Sequence, residues 1–215
     1  MKKIIFAVPK GRILDDLLPL MKEIGIVPEE EFFNTSSRKL IFKTSLPNFE
    51  IIRVRAFDVA TFVAFGAAQI GVAGDDVLKE FNYEEIYSIL DLDIGKCKLS
   101  LAKQKNNLDF EEKKLGNITV ATKYKNTVIN YFASKGVRAE CIKLNGAIEL
   151  APKLGICDYI VDLVSTGRTL HENDLVEQEV LMNITAKLII NKIAFKLMNK
   201  ELQKIVKKFE VATIE

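Results

Sequence analysis

Short runs of β-branched and other apolar residues alternate along this chain with longer segments whose apolar residues recur at helical spacing. Residues 4–8 predict a buried strand that leads into an amphipathic helix, and the same alternation restarts near residue 95. This pattern is typical of βα units around mostly parallel sheets. We therefore predict an α/β fold of two lobes around a central cleft, residues 1–94 plus 182–215 and residues 95–181.

Three local predictions accompany this fold. Asp58 is expected to cap the start of a helix, and the charged stretch 103–114 is expected to be a loop. Residues 186–209 are predicted to form one long helix that ends the first lobe. Its outer side carries lysines four residues apart, which form either a solvated face or a docking face for a partner: Lys192, Lys196, Lys200, Lys204 and Lys208.

Charge and cysteine usage exclude several classes of protein. The 31 basic and 29 acidic residues leave a net charge of only +2, so general binding to nucleic acid or to a membrane surface is not expected. The 3 cysteines never form a CxxC pair, which is typical of a reduced protein without disulfides or a zinc knuckle. With no apolar run long enough to span a membrane, we expect a cytoplasmic protein.

The chain has 1 histidine, His171, and this excludes mechanisms that need two histidine ligands. Because His171 follows a Thr-Leu pair, we expect it to lie on a helix surface and not to contact a phosphate. Catalysis must therefore depend on arginine, lysine, carboxylate, hydroxyl and backbone groups.

The most informative segment is residues 159–169, in which an apolar strand ends in Asp162 and a hydroxyl-rich turn around Gly167 opens the next helix. Backbone N–H groups and the hydroxyls of Ser165, Thr166 and Thr169 can surround a phosphate, and glycine allows close approach of the main chain. Asp162 is placed to accept hydrogen bonds from ribose hydroxyls. Taken alone, the turn could equally be an ordinary helix cap, but the preceding strand and acid favour a phosphosugar site.

This segment resembles the phosphoribosyl pyrophosphate loop of phosphoribosyltransferases, although Leu163 stands where a second acid is common. The flanking residues, together with motifs that begin at Lys10, are similar to the ATP phosphoribosyltransferase family, the first enzyme of histidine biosynthesis. The motifs stand in the family's order: Lys10-Gly11-Arg12, Ser37-Arg38-Lys39-Leu40, Arg55-Ala56-Phe57-Asp58-Val59, Gly71-Val72-Ala73-Gly74, Cys97-Lys98-Leu99, Ala121-Thr122-Lys123-Tyr124 and Glu149-Leu150-Ala151-Pro152.

The resemblance implies two lobes like those of type II periplasmic binding proteins and a glycosyltransferase that joins the phosphoribosyl group to N1 of ATP. It implies that phosphoribosyl pyrophosphate is bound by Glu149, Asp162, Ser165, Thr166, Gly167, Arg168 and Thr169. It implies that ATP is bound by Lys10, Gly11, Arg55 and Gly74. Mg²⁺ would arrive on the substrates and not in a metal site of the protein.

Arginines are the expected catalytic groups, because a guanidinium can neutralise the departing pyrophosphate through paired hydrogen bonds. Arg12, at a helix start, and Arg38, in a Ser-Ser-Arg-Lys turn, are the catalytic candidates. Arg55 is preferred to Arg53 for substrate contact because it lies nearer the carboxyl end of its strand, and a surface salt bridge remains the alternative for Arg53.

Three positions depart from the family pattern: Ala60 replaces a usual proline, Asp75 a frequent lysine and His171 a common arginine. Asp75 would weaken triphosphate binding unless Lys10 or Arg55 compensates.

The chain stops after the predicted long helix, as in the family's short form. That form implies a homodimer and a separate regulatory subunit similar to histidyl-tRNA synthetase. Two other functions remain open from the residues: a bilobal binding module without catalysis, and a phosphoribosyltransferase for another base.

Overall fold

The computed structural model describes residues 3–106 and 117–214. Its contacts divide the chain into two compact units, residues 1–95 with 185–215 (unit 1) and residues 96–184 (unit 2). Each unit has its own mixed β-sheet and helices, so the predicted class, two α/β lobes, is confirmed.

Unit 1 is built on a six-stranded sheet in the order β2-β3-β1-β4-β11-β5. The central strands β3, β1 and β4 are parallel, whereas β2, β11 and β5 each run antiparallel to a neighbour. Its elements are β1 (Ile4–Pro9), α1 (Arg12–Glu23), a 3₁₀ helix (Glu30–Phe33), β2 (Ile41–Lys43), β3 (Phe49–Val54), α2 (Ala56–Ala64), β4 (Ile70–Gly74), α3 (Asp75–Phe81), β5 (Ile86–Asp91), β11 (Ala186–Asn191), α7 (Lys192–Leu197) and α8 (Asn199–Ala212).

Helices cover both faces of this sheet. On one face Phe6 of β1 is fully buried with Leu17 of α1 and Phe209 of α8. On the other face α2 packs so closely on β4 that a Cβ added at Gly71 would lie 2.8 Å from Val63 Cγ2. Burial on both faces explains why the central strands read as continuous apolar runs and not as alternating ones.

Unit 2 is built on a five-stranded sheet in the order β10-β6-β9-β7-β8. The strands β7, β8 and β9 are parallel, and β6 lies antiparallel between β9 and β10. Its elements are β6 (Cys97–Gln104), β7 (Ile118–Thr122), α4 (Lys125–Ser134), β8 (Ala139–Lys143), α5 (Leu150–Lys153), β9 (Tyr159–Val164), α6 (Arg168–Glu172) and β10 (Leu175–Ile184).

The predicted long helix over residues 186–209 is wrong in its first part. Residues 186–191 form β11, which inserts antiparallel between β4 and β5, and the helix that follows is interrupted at Met198. Leu188, Ile189 and Ile190 are fully buried, because this strand is covered on both faces. A short run that is apolar on every side fits a buried strand and a buried helix equally well, so periodicity alone could not separate them.

Two further predictions need correction or fall outside the described residues. The helix α2 begins at Ala56 with Arg55 at the N-cap position, so Asp58 lies in its first turn and does not cap it. Of the predicted loop 103–114, residues 103 and 104 belong to β6, and residues 107–114 lie outside the described part. Within residues 3–106 and 117–214, no helix combines the length and apolar character needed to cross a membrane.

Candidate active site

A pocket of about 160 Å³ opens at the end of β9 in unit 2. All seven residues predicted to bind phosphoribosyl pyrophosphate line it: Glu149, Asp162, Ser165, Thr166, Gly167, Arg168 and Thr169. Ser100, Ile160, Leu163, Val164 and Leu170 complete the lining. The structure therefore brings a strand end, a turn and a neighbouring helix start together around one concave surface.

The turn between β9 and α6 depends on Gly167. Its φ of +75° lies in the left-handed region, where glycine is favoured because a Cβ would approach the following carbonyl oxygen. Among residues 3–106 and 117–214, and apart from its two chain neighbours, no atom lies within 4 Å of the position that a Cβ would occupy, so glycine is required here by backbone conformation and not by protein packing. The hydroxyl of Thr166 accepts a hydrogen bond of 3.4 Å from Arg168 N, and this contact within the turn stabilises it.

Asp162 lines this pocket near the carboxyl end of β9. Its Oδ1 is buried, and Lys123 Nζ lies 3.5 Å from it. Burial raises the pKa of Asp162, and the nearby charge of Glu149 raises it further, while Lys123 acts in the opposite direction. The carboxylates of Asp162 and Glu149 make this end of the pocket attractive to hydroxyl donors and to cations.

Ser100 is a wall residue that the motifs did not reveal. It lies on β6 directly opposite Asp162, and its Oγ donates a hydrogen bond of 2.7 Å to Glu177 Oε1 on β10. Lys98 Nζ donates to the same carboxylate at 3.1 Å. These contacts, that of Ser100 first, keep the pKa of Glu177 below its ordinary value. Of these residues only Lys98 stands in a motif, Cys97-Lys98-Leu99, and its meeting with Ser100 and Glu177 depends on the pairing of β6 with β9 and β10.

The residues predicted to bind ATP lie along one edge of the unit 1 sheet. Lys10 and Gly11 follow β1, Arg55 follows β3 and Gly74 ends β4, and these three strands are parallel, so their carboxyl ends share that edge. A hydrogen bond of 2.9 Å from Lys10 N to Val54 O ties the first two of these ends together. Gly11 has a φ of +93° and precedes α1.

The two predicted catalytic arginines also belong to this edge. Arg12 is the first residue of α1, is exposed, and donates from Nη2 to Gly95 O at 3.2 Å. Arg38 is exposed in the segment that precedes β2, whose first residue Ile41 pairs with Ile52 near the end of β3. Both guanidinium groups therefore belong to loops or helix starts at the carboxyl ends of parallel strands, where ligands bind in α/β sheets.

The charge of Asp75 is compensated by Lys187, and not by Lys10 or Arg55 as considered from sequence. Asp75 Oδ2 lies 3.3 Å from Lys187 Nζ on β11, and it accepts a hydrogen bond of 3.2 Å from Thr185 N. Although burial alone would lower it, the pKa of Lys187 is raised, because Lys187 donates a hydrogen bond to Asp91 and faces the charge of Asp75. Asp75 is therefore part of a structural ion-pair group.

His171 is exposed on α6, as expected of a residue on a helix surface.

Comparison with known proteins identifies the family. The sequence profile of the ATP phosphoribosyltransferase family matches residues 55–211. The ATP phosphoribosyltransferase of Sphingopyxis alaskensis is 54% identical over 211 residues, which cover 97% of this chain and 93% of that protein. That of Rhodospirillum rubrum is 51% identical and covers 98% of this chain and 93% of the relative.

Solved structures agree with this result. The ATP phosphoribosyl transferase (HisG:HisZ) complex from Thermotoga maritima contains a chain that matches with a TM-score of 0.82 and 28% identity, over 98% of both chains. The periplasmic aliphatic sulphonate binding protein SsuA from Escherichia coli matches with a TM-score of 0.60 and 12% identity, over 99% of this chain and 73% of that one. The second likeness concerns the fold alone. From the profile and the near full-length identities, this chain belongs to the ATP phosphoribosyltransferase family.

Proposed function

We propose that this protein transfers the phosphoribosyl group of phosphoribosyl pyrophosphate to N1 of ATP, the first step of histidine biosynthesis. The observation that carries the proposal, beyond family membership, is the unit 2 pocket lined by all seven residues expected to hold a phosphosugar. The pocket combines backbone and hydroxyl donors at one end with two carboxylates at the other. This distribution suits a ligand with a terminal phosphate and free ribose hydroxyls.

In this pocket the residues divide into two groups by chemistry. The turn of Ser165, Thr166 and Thr169 offers hydroxyl and N–H donors to the phosphate on the ribose. Asp162 and Glu149 accept hydrogen bonds from the ribose hydroxyls and so fix the orientation of C1. Lys123 holds the Asp162 carboxylate in place through their ion pair.

The reaction asks little of a general base. The N1 lone pair of the adenine ring forms a bond to C1 as the bond from C1 to the pyrophosphate oxygen breaks, and the pyrophosphate leaves with both electrons. The barrier lies mainly in the charge that grows on the leaving group, so preorganised cations are the most effective catalysts. We assign this role to Arg12 and Arg38, and we assign ATP binding to Lys10, Gly11, Arg55 and Gly74.

Magnesium is expected to accompany the substrates. Among the described residues no three His, Cys, Asp or Glu side chains form a cluster that could hold a metal by themselves. The pocket nevertheless contains the carboxylates of Asp162 and Glu149, and Mg²⁺ is commonly held by one or two carboxylates together with substrate phosphates. When bound there, Mg²⁺ would neutralise part of the pyrophosphate charge.

We further propose that the chain acts as the short catalytic form in the cytoplasm. A homodimer with a separate regulatory subunit similar to histidyl-tRNA synthetase is the expected assembly. This proposal is supported by the likeness to a chain of the HisG:HisZ complex over 98% of both chains. In such an assembly, histidine sensing belongs to the second subunit.

The proposed reaction is tested with purified protein, Mg²⁺, ATP and phosphoribosyl pyrophosphate. We expect an adduct that absorbs beyond the adenine band, formed in equal amount with released pyrophosphate and absent when either substrate is omitted. The same assay with free bases in place of ATP tests the alternative function, a phosphoribosyltransferase for another base. Binding of both substrates with no adduct and no pyrophosphate would instead support a binding module.

A further inference from the structure

The catalytic candidate Arg38 lies in a surface segment, residues 34–40, that connects the 3₁₀ helix to β2. Within the segment, Asn34 Oδ1 accepts a hydrogen bond of 3.0 Å from Ser36 N, and Ser37 Oγ accepts one of 3.2 Å from Lys39 N. These local contacts shape the turn, but they do not attach it to the sheet. Inside the segment, Lys39 Nζ forms an ion pair of 2.5 Å with Glu29 Oε1, which also accepts a hydrogen bond from Lys43 N. The position of Arg38 therefore depends on this surface ion pair and on what holds the two ends of the segment.

The side chain of Arg53 holds the first end. Its Nη1 donates a hydrogen bond of 2.6 Å to Phe32 O in the 3₁₀ helix, and its guanidinium carbon lies 5.1 Å from the centre of the Phe32 ring. Phe32 is almost fully buried, so this contact ties the start of the segment to the core of unit 1.

The same residue holds the second end. The backbone N–H of Arg53 donates to Leu40 O at 3.1 Å, and its guanidinium carbon lies 5.2 Å from the centre of the fully buried Phe42 ring. The rings of Phe32 and Phe42 themselves meet edge to face at 5.0 Å. One guanidinium thus links two aromatic residues, one before and one after the segment that carries Arg38.

Arginine is suited to this position and lysine is not. The flat guanidinium can contact both rings while one nitrogen donates to a carbonyl, whereas an ammonium offers a point charge without a planar face. Among the described residues Arg53 Nε is buried without a hydrogen-bond partner, and the head group packs on the two rings where sequence suggested a surface salt bridge.

From these contacts we infer that Arg53 is a positioning residue for catalysis, which fixes both ends of segment 34–40 and thereby sets the place of the Arg38 guanidinium. The inference rests on the proposed function, because it assigns Arg53 an effect on turnover through Arg38. A displacement of about 1 Å in a positioning group can reduce a rate by about a hundredfold, so a loosened segment has a measurable cost.

The kinetic test is a double-mutant cycle of Arg53→Lys and Arg38→Ala. In the wild-type background, Arg53→Lys should lower turnover by about tenfold or more, as expected for a misplaced catalytic group. In the Arg38→Ala background the same change should alter turnover by less than about twofold, since there is no guanidinium left to misplace. An unchanged turnover, or an equal loss in both backgrounds, would overturn the inference.

Arg138→Lys is the matched control, because Arg138 is an exposed arginine of unit 2 and the substitution is the same. It should leave turnover unchanged. If Arg53→Lys folds poorly, Phe42→Leu replaces it in the double-mutant cycle with Arg38→Ala. Phe42→Leu removes one of the two rings that Arg53 contacts and keeps an apolar residue.

A second measurement does not depend on activity. Arg38 and Lys39 are both exposed trypsin sites inside the segment. Arg53→Lys should speed the appearance of fragments that end at residue 38 or 39 by about fivefold or more, because cleavage follows the population of the opened segment. Equal cleavage in wild type and variant would overturn the anchoring role. If the wild type forms no adduct, the proposed function fails, and cleavage still decides whether Arg53 anchors the segment.

Discussion

Replacing Gly167 by alanine separates the conformational role of this residue from its role in binding. At φ +75° an alanine Cβ meets the backbone, which costs about 1 to 2 kcal/mol. Beyond its chain neighbours, no atom of the described residues lies within 4 Å of that Cβ, so no packing clash adds to this cost. For a chain of 215 residues, the loss corresponds to a fall in melting temperature of about 2 to 8 °C.

Unit 2 offers a matched control for this substitution. Gly136 has a φ of +72°, and within the part of the chain that the structure describes its added Cβ also has no atom within 4 Å beyond its chain neighbours. It follows α4 and is absent from the lining of the pocket. Gly136→Ala should therefore lower the melting temperature by a similar amount and leave substrate binding unchanged.

Only Gly167→Ala should weaken binding of phosphoribosyl pyrophosphate. A methyl group at the turn would keep the phosphate from one backbone donor, and a hydrogen bond to a charged group contributes about 1.5 to 3 kcal/mol. We expect a loss of affinity of about tenfold to a hundredfold, with a much smaller effect on ATP. Calorimetric titration of each substrate into both variants measures this. Equal affinity of the two variants for phosphoribosyl pyrophosphate would refute the assignment of the turn as a phosphate site.

Three further predictions concern charge and regulation. Arg12→Ala and Arg38→Ala should each raise the barrier of the chemical step by about 2 to 4 kcal/mol in single-turnover experiments, with smaller losses of melting temperature, and normal turnover of both variants would contradict their catalytic role. The hydrogen bond from Ser100 and the contact with Lys98 keep the pKa of Glu177 below its ordinary value of 4.5. The folded state therefore gains stability from this carboxylate above that value and loses it as the pH falls further. In urea titrations between neutral pH and about pH 3, Glu177→Gln should show a shallower acid loss of stability than wild type, and parallel profiles would contradict the linkage. Histidine added to the isolated chain should leave its initial rate unchanged, whereas inhibition without a partner would contradict the short-form proposal.

Sequence reasoning was most informative where the residues that line the pocket are neighbours in the chain. Residues 162–169 run directly from a strand end through a turn into a helix, so their types and spacing alone predict that Asp162 and Gly167 line the same pocket. The positive φ of Gly167 was foreseeable for the same reason, because a tight turn between strand and helix often needs glycine. For such a segment, local stereochemistry is enough.

The residues that support the site could not be found in this way. Ser100, Glu177 and Lys98 come together only because β6 pairs with β9 on one side and with β10 on the other. From sequence, Arg53 was open between substrate contact and a surface salt bridge. Its contact with Phe42 follows from the antiparallel pairing of β2 with β3, and its contact with Phe32 depends on where the 3₁₀ helix packs. Strand order and register are properties of the whole sheet, and short-range spacing does not encode them.

The tail of the chain separates the two kinds of information most clearly. The sequence alone determined that this protein has an α/β fold and belongs to a recognisable family, and it predicted that residues 165–169 form a phosphosugar turn. Whether residues 186–191 are helix or strand was decided by the tertiary structure, in which the segment pairs with β4 on one side and with β5 on the other. Because the segment is buried on both faces, its apolar pattern does not distinguish a strand from a helix. The backbone hydrogen bonds to the two neighbouring strands stabilise the extended form.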